Sequence, residues 1–250
     1  MRKPLLPLWL FLVLSAPALG EELSQPPVLE EGQWVSLPGA DSELLVIFTS
    51  QTTATPRGAA ILIPDQGGHP DQPSVTGALR TALPKFGWNT LAIPAPPADK
   101  PGGLLDIGTR RLQAAVEYLQ QQKAEKIVVI GHGLGATLGA AFLANQPDSP
   151  VAGLVAIGWY DPQGAEGKLT AIEAIAALSV PVLDLYGSLD FRAVEQGARA
   201  RLLAARKANR TYRQKVVEGA DHQHTGLGPA LSQLVRGWLF ATLVKGKSSP

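Results

Sequence analysis

One stretch of the sequence has the residue types and spacing that hold a reactive group on a sharp turn. An apolar run over 127–130 leads into a Gly-x-Gly-x-Gly segment, and a helical pattern of small residues follows. A nucleophile elbow has the form G-x-S-x-G, with glycines on both sides because the strand-to-helix turn leaves no room for a Cβ. Here Gly131 and Gly135 are the flanking glycines, and Gly133 stands where the serine belongs. The pattern therefore predicts the turn without its hydroxyl group.

The same segment also fits a second motif, the G-x-G-x-x-A of dinucleotide-binding folds, through Gly131, Gly133 and Ala136. That motif normally follows the first strand of its unit and needs an acidic residue about 20 positions later. Here it follows the fifth predicted strand, and the next strand ends near Asp161, thirty residues beyond Gly131. The elbow is the favoured interpretation, and we predict no cofactor.

The histidines fall after predicted strands three, five and eight: His69, His132, His222 and His224. The carboxyl ends of parallel strands meet at one edge of a sheet, where ligands bind. Four aspartates come at the same edge: Asp65, Asp71, Asp190 and Asp221. A metal site is conceivable from these residue types, but their spacing matches no metal motif and we predict no metal. The alternative for His69 and His132 is that backbone groups satisfy their rings.

The elements that position these residues alternate between strand and helix. Short apolar or β-branched runs predict eight strands, over 33–37, 43–49, 58–63, 89–93, 126–130, 151–157, 181–186 and 212–217. Apolar residues at helical spacing predict helices over 75–86, 106–122, 134–145, 193–207 and 229–244. This alternation implies a mostly parallel sheet with helices on both faces. The first two strands have no helix between them, so we expect an antiparallel hairpin at one edge.

This order of elements, with the elbow after the fifth strand, resembles the α/β-hydrolase fold. Its catalytic triad follows the chain order nucleophile, acid, histidine. The segment that ends in Asp190, after the seventh strand, is similar to the acid loop of the family, and the segment that ends in His222 is similar to its histidine loop. The resemblance implies a remnant triad in which Asp190 is the acid, His222 is the base, and Gly133 occupies the nucleophile position.

The resemblance also implies a role for the segment after the third strand. Its sequence, Pro-Asp-Gln-Gly-Gly-His-Pro at 64–70, takes the place of the oxyanion-hole loop of the family. Asp65 and Gln66 are therefore expected near the oxyanion hole, together with Leu134 after the elbow. Only one short helix fits between 158 and 180. We accordingly expect no large cap domain and an open, shallow pocket, with candidate lining residues His69, His132, Trp159 and Tyr160.

A closer resemblance is to a family of secreted α/β-hydrolase-like proteins of Gram-negative bacteria whose activity is unassigned. The segments 62–71 and 87–91 carry it, together with the serine-less 131–136. This resemblance implies a fold and a compartment, and it implies no reaction.

Without a serine, an acyl-transfer site needs another nucleophile. Thr137 lies one helical turn beyond the elbow, and Ser188 lies in the acid loop. A water molecule activated directly by His222 is the third possibility, as general-base catalysis, and it is the favoured one of the three.

Composition restricts the classes of partner. The chain of 250 residues has 22 Lys and Arg against 21 Asp and Glu, a net charge of +1. There is no strong basic field, so nucleic acid is not an expected partner. The chain has no Cys, which excludes disulfides, thiolate catalysis and Cys-ligated zinc. A basic group near the last strands is predicted to be a solvated face: Arg199, Arg201, Arg206, Lys207, Arg210 and Arg213.

Residues 1–20 have the pattern of a cleavable secretory signal peptide. A basic start at Arg2 precedes an apolar run over 5–14, and Ala18 and Gly20 are small residues before the expected cut. The alternative, an uncleaved membrane anchor, needs a longer apolar run. We therefore expect a periplasmic protein with no membrane span after cleavage, in which 21–250 form a single domain.

Two functions remain open at this stage. In the first, favoured by Gly133, the protein is a degenerate hydrolase that binds a small molecule or a periplasmic protein and catalyses nothing. In the second, it is an atypical hydrolase of ester or acyl substrates that uses His222, Asp190 and an activated water. A structural observation bears on the choice: whether the His222 ring lies within hydrogen-bonding reach of Asp190 and opens onto a cavity.

Overall fold

A computed structural model describes residues 26–39, 43–97, 103–161 and 170–245. The predicted signal peptide at 1–20 lies outside the described residues. Across the described ranges, one sheet of eight strands forms the centre of the fold, in the order β1-β2-β4-β3-β5-β6-β7-β8. The strands are β1 Gln33–Pro38, β2 Glu43–Thr49, β3 Gly58–Ile63, β4 Trp88–Ala92, β5 Ile127–His132, β6 Val151–Ile157, β7 Val182–Gly187 and β8 Arg213–Val217.

The strand pairing confirms the predicted hairpin and the predicted parallel sheet. Strand β1 pairs antiparallel with β2, and β2 pairs antiparallel with β4. All other neighbouring strands pair in parallel. Strands β3 and β5 at the centre are buried along their whole length, as expected of parallel strands covered on both faces.

The helices are α1 Val75–Ala82, α2 Leu104–Gln121, α3 Leu134–Asn145, α4 Ala171–Ala177, α5 Arg192–Ala208 and α6 Gly228–Leu239. Two predicted helices are shorter than expected. The first ends in a 3₁₀ turn over Leu83–Phe86, where Pro84 has no N–H to continue the α-helical bonding, and the last ends in a π turn over Phe240–Val244. Buried residues of α1 and α6 form the core on one face of the sheet, and α2 to α5 cover the other.

The packing of α3 brings the elbow against the loop that follows β3, at the carboxyl edge of the sheet. This helix is buried on nearly every side, as its small apolar residues predict. A Cβ on Gly135 would overlap the backbone carbonyl of Ile63, the last residue of β3. This close approach places the start of α3 directly against the loop that follows β3, which carries Asp65.

The connection after β6 contains one short helix, α4, among its described residues, and no large cap is evident there. Thr170 and Glu173 form a capping box that fixes the start of α4. In the part of the chain that the structure describes, no helix has the length and apolar character needed to span a bilayer.

The prediction of a solvated basic face is wrong for Arg201. Its side chain is only 1% exposed, because α5 turns it toward the buried carboxylate of Asp184 on β7. The Arg201 Nε donates to Asp184 Oδ2 at 2.7 Å, and Nη1 donates to the carbonyl oxygen of Trp159 at 2.7 Å. The hydroxyl of Tyr212 also donates to Asp184 Oδ2. This buried polar cluster connects α5 with β7 and with the segment that directly follows β6.

Candidate active site

The elbow predicted from the glycine pattern is present. Strand β5 ends at His132, α3 begins at Leu134, and Gly133 between them has φ 52° and ψ −116°. Residues other than glycine rarely adopt a positive φ of this kind. The turn therefore has the strained geometry of an elbow, while the residue at its apex has no side chain.

Asp190 and His222 meet as the family resemblance implies. The loop after β7 brings the Asp190 carboxylate to the loop after β8, and His222 Nδ1 donates to Asp190 Oδ1 at 2.8 Å. The same oxygen accepts the backbone N–H of Phe191 at 2.9 Å. The Asp190 side chain is fully buried, so its charge acts on the imidazole with little screening by water. This contact fixes the orientation of the His222 ring.

Asp65 has a more central position than the oxyanion-loop assignment suggested. Its Oδ2 lies 3.0 Å from His222 Nε2. Its Oδ1 accepts the backbone N–H of Leu134 at 2.7 Å and the hydroxyl of Tyr160 at 2.8 Å. In a serine hydrolase, the partner of this imidazole nitrogen is the serine hydroxyl, and the N–H after the elbow belongs to the oxyanion hole. The carboxylate of Asp65 therefore makes both contacts.

The missing side chain of Gly133 and the carboxylate of Asp65 compete for the same space. A Cβ built on Gly133 would overlap Oδ1 and Cγ of Asp65. A serine at position 133 is thus incompatible with Asp65 in its present place. The absence of the serine is what allows a carboxylate from a different loop to reach His222.

The pKa shifts in this cluster indicate an imidazolium between two carboxylates. Burial alone would lower the pKa of His222, but the hydrogen bonds to Asp190 and Asp65 and their negative charges raise it to about 9. Burial would raise the pKa of Asp65, but the hydrogen bonds from His222 and from the backbone of Leu134 and Gln66 lower it to about 2. At neutral pH, His222 is therefore protonated and Asp65 is ionised.

His132 lies next to the His222 ring and is neutral at neutral pH. Its Nε2 donates to the carbonyl oxygen of His222 at 2.9 Å, and the two ring centroids are 4.6 Å apart. Burial and repulsion by His222 lower the pKa of His132 to about 4. A backbone group satisfies this ring, so His132 positions the histidine loop.

The other predicted pocket residues divide between the site and its surroundings. Tyr160 contacts Asp65 and lies in the site, and burial raises the pKa of its hydroxyl. Trp159 is fully buried in the core under the Arg201 guanidinium, so it does not line the pocket. His69 is an exposed residue whose Nδ1 accepts the N–H of Asp71 and whose ring meets Trp34 edge-on.

Phe191 is a site residue that the sequence analysis did not identify. Its ring centroid lies 4.5 Å from that of His222 and 5.3 Å from that of Tyr160. The side chain is 44% exposed, and the neighbouring Leu189 is 68% exposed. The sequence did contain one indication of this role, because Phe191 directly follows the triad acid position, Asp190. The mouth of the site is therefore apolar and aromatic on one side.

Neither of the proposed replacement hydroxyls is the nucleophile in this arrangement. Thr137 Oγ1 donates to the carbonyl oxygen of Tyr160 at 2.6 Å. Ser188 Oγ accepts the N–H of Gly219 at 2.8 Å. Both ring nitrogens of His222 are taken by carboxylates, so neither hydroxyl is activated by it.

The acidic residues at this edge have separate partners. Asp71 pairs with Arg80 at 2.7 Å, and Asp221 accepts the N–H of Thr225 at 2.8 Å. Within the described ranges, no group of three or more acidic or histidine side chains is arranged to hold a metal ion. The side chains of Asp65 and His222 are 22% and 14% exposed, so solvent reaches both members of the pair.

Sequence comparisons place the chain in a family whose function is unknown. The chain matches a sequence family described as "Protein of unknown function (DUF3530)" over residues 19–106 and 104–241. No protein of curated function matches the sequence.

Solved structures with a similar fold are hydrolases or hydrolase homologues. Est1E from Butyrivibrio proteoclasticus aligns with a TM-score of 0.70 at 14% identity, covering 84% of this chain and 98% of that one. An alpha-beta serine hydrolase homologue from Coxiella burnetii has a TM-score of 0.66 at 21% identity, with 85% and 100% covered. A dienelactone hydrolase from Anabaena variabilis has a TM-score of 0.66 at 19% identity, with 85% and 99% covered. The predicted α/β-hydrolase fold is confirmed.

Proposed function

This chain belongs to the family of proteins of unknown function designated DUF3530, and we propose from its site that it is a hydrolase in which Asp65 takes the place of the missing serine. The observation that carries the proposal is the position of the Asp65 carboxylate. It fills the space above Gly133 and makes the contact to the histidine that a triad nucleophile makes. It also accepts the N–H after the elbow, which in a serine hydrolase binds the oxyanion of the substrate.

The positions of Asp190 and His222 favour a working hydrolase over a protein that has lost its catalytic activity. The His222 Nδ1 to Asp190 Oδ1 distance of 2.8 Å is the orienting contact that a working triad requires. The Asp65 and His222 side chains both remain in contact with solvent. Similar solved structures bear the names of a serine hydrolase homologue and a dienelactone hydrolase, which favours the same general reaction class.

The charge state of His222 argues against water activation in the resting enzyme. General-base catalysis needs a neutral imidazole with a free nitrogen. Here the His222 pKa is raised to about 9, and Nε2 is occupied by Asp65. Asp65 must change its state before His222 becomes a base, which gives Asp65 the leading role in the reaction.

A second candidate function is the binding of a small molecule or a periplasmic protein without catalysis. It is favoured by one observation: Asp65 occupies at once the nucleophile position and the oxyanion donor of Leu134, as a bound carboxylate product would. In this account Asp65, Asp190 and His222 form an ion-pair cluster that stabilises the structure. Catalysis was then lost together with the serine, whose position Gly133 occupies.

The test is turnover of a substrate panel by the purified protein. The panel contains p-nitrophenyl esters and aliphatic and aromatic epoxides, with products measured by absorbance or chromatography. The proposal expects turnover of at least one class, and loss of that turnover in Asp65→Asn and in His222→Ala. Asp148→Asn changes an exposed aspartate beyond α3 and is the matched control, so it should retain the wild-type rate. Equal rates in all four proteins, or none in any, would contradict the hydrolase function.

We further propose that the protein is periplasmic and that glycine at the elbow is shared by its family. The compartment rests on the signal pattern at 1–20 and on the resemblance to secreted proteins of Gram-negative bacteria. Fractionation of cells expressing a C-terminally tagged chain tests it. Release of the shortened protein with the periplasmic fraction is the expected result, and recovery with the membranes or cytoplasm would contradict it.

A further inference from the structure

We propose that Asp65 is a covalent nucleophile that attacks a saturated carbon of the substrate, and that an epoxide is the substrate class that fits the site. The inference rests on the proposed hydrolase function and specifies its reaction. It replaces acyl transfer to a hydroxyl with the formation and hydrolysis of an ester on the protein itself.

The direction of the oxyanion donors is the first argument. In acyl transfer, these donors must face the carbonyl oxygen of the substrate, where negative charge develops. Here the N–H of Leu134 and the hydroxyl of Tyr160 both donate to Oδ1 of Asp65. They are placed to stabilise charge on that oxygen when Cγ of Asp65 becomes tetrahedral. The carbon that passes through a tetrahedral state is therefore in Asp65, and the substrate reacts at a carbon that needs no oxyanion hole.

The arrangement of protons is the second argument. Both ring nitrogens of His222 face carboxylate oxygens, at 2.8 Å and 3.0 Å, and an imidazole donates from both nitrogens only when it is protonated. A proton thus lies beside the attacking oxygen, Asp65 Oδ2, before the reaction. Such a proton is useful when the leaving group is an alkoxide. An epoxide supplies an alkoxide, and ring strain makes its carbon electrophilic.

The first step follows from these positions. Oδ2 of Asp65 forms a bond to one epoxide carbon as that carbon's bond to the ring oxygen breaks. The released alkoxide takes the proton from Nε2 of His222. The products are a hydroxyalkyl ester of Asp65 and a neutral His222. Since the ester no longer carries a negative charge, the imidazole keeps only Asp190 as a charged partner and becomes a base.

The second step returns the site to its starting state. Neutral His222 removes a proton from water, and the hydroxide adds to Cγ of Asp65. Leu134 and Tyr160 hold the resulting oxyanion. The bond from Cγ to Oδ2 then breaks, and the alcohol leaves with the proton of the new carboxylic acid. The net reaction is epoxide plus water to diol, and the protonated His222 again faces an ionised Asp65.

The mouth of the site indicates the substituent that accompanies the reactive carbon. The Phe191 and Tyr160 rings flank His222, and both Phe191 and Leu189 are exposed to solvent. Aromatic rings pack favourably at centroid separations of about 4.5–7 Å. An aryl-substituted epoxide can place its ring against these two side chains, so styrene oxide is a suitable probe.

The test is a single turnover of styrene oxide in oxygen-18 water with the protein in excess over substrate. Peptides from the digested protein are then analysed by mass spectrometry. The proposal expects one oxygen-18 atom in the peptide that contains Asp65 and an unlabelled diol oxygen, because water attacks Cγ of Asp65. Asp148→Asn should give the same labelling. Asp65→Asn should show no turnover, with circular dichroism to confirm that it is folded.

The outcomes separate this inference from the hydrolase function. Turnover with oxygen-18 in the diol and none in the Asp65 peptide would overturn covalent catalysis, while the hydrolase function would stand. Hydrolysis of p-nitrophenyl esters without any turnover of styrene oxide would overturn both the attack on a saturated carbon and the substrate class, while the hydrolase function would stand. Absence of turnover for every substrate would overturn both proposals.

Discussion

Asp65 and Gly133 are 68 residues apart in the chain, yet the carboxylate of one occupies the volume that a side chain on the other would need. The two positions are therefore coupled. A serine at the elbow requires that the carboxylate move away, and the carboxylate requires that the elbow remain glycine. This relationship connects the lost hydroxyl with the gained contact to His222.

The coupling predicts that Gly133→Ser alone will not create a serine esterase. Its side chain would overlap Asp65, and a residue other than glycine at this positive φ adds strain of about 1–3 kcal/mol. Asp65→Ala in the same chain removes the overlap. We expect the double variant to be more stable than the sum of the single changes predicts, by about 1–3 kcal/mol. Urea unfolding of the four proteins measures this energy, and simple additivity would refute the coupling.

Stability should depend on pH in two opposite ways within this cluster. The pKa of His222 is raised from 6.5 to about 9, so its contribution is complete below pH 6.5 and is lost as the pH rises through about 9. The pKa of His132 is lowered from 6.5 to about 4, so folding favours its neutral form and stability falls as the pH drops from 6.5 toward 4. The pKa of Asp65 is lowered from 3.8 to about 2, and its contribution is lost below pH 3.8.

Unfolding free energies measured by urea across this pH range test the signs. We expect a maximum near pH 6.5, a loss of stability as the pH rises from there toward 9, and a weaker loss on the alkaline side in His222→Gln. An alkaline limb that is identical in wild type and His222→Gln would contradict the assignment.

Tyr160 is predicted to affect turnover more than stability. Its hydroxyl donates to Asp65 Oδ1, the oxygen on which charge develops in the second step. Loss of one such donor typically lowers kcat by about 10²–10³-fold. Tyr160→Phe should therefore reduce kcat for any substrate found in the panel while the ring contact with Phe191 persists. A rise in KM with unchanged kcat would indicate a role in binding alone.

Removal of Arg201 is predicted to lower the free energy of unfolding, because it leaves the buried carboxylate of Asp184 without its charged partner. Removal of one member of a buried ion pair commonly costs about 3–5 kcal/mol, because the other charge is left unpaired. Arg201→Met should therefore destabilise the protein by about this amount, and Arg201→Met with Asp184→Leu should recover part of it. Arg199→Met on the same helix is the exposed control. Equal effects of the two arginine substitutions would show that Arg201 is not buried with Asp184.

Much of the fold was predictable from the sequence because apolar periodicity and glycine spacing are local signals. The elbow at Gly133 and the short connection after β6 could be inferred in this way, and the family pattern supplied Asp190 and His222. The role of Asp65 could not, since its contact with His222 joins positions 157 residues apart. The burial of Arg201 was missed for the same reason: its partner Asp184 lies on another element.

The central claim is that Asp65 holds a proton on His222 in the resting protein. Nitrogen-15 NMR of the His222 ring across pH measures this directly, and it needs no substrate. The account predicts an imidazolium with both nitrogens protonated up to about pH 9 in the wild type, and a lower pKa in Asp65→Asn. A His222 that titrates near its ordinary value of 6.5, with the same midpoint in both proteins, would contradict the account.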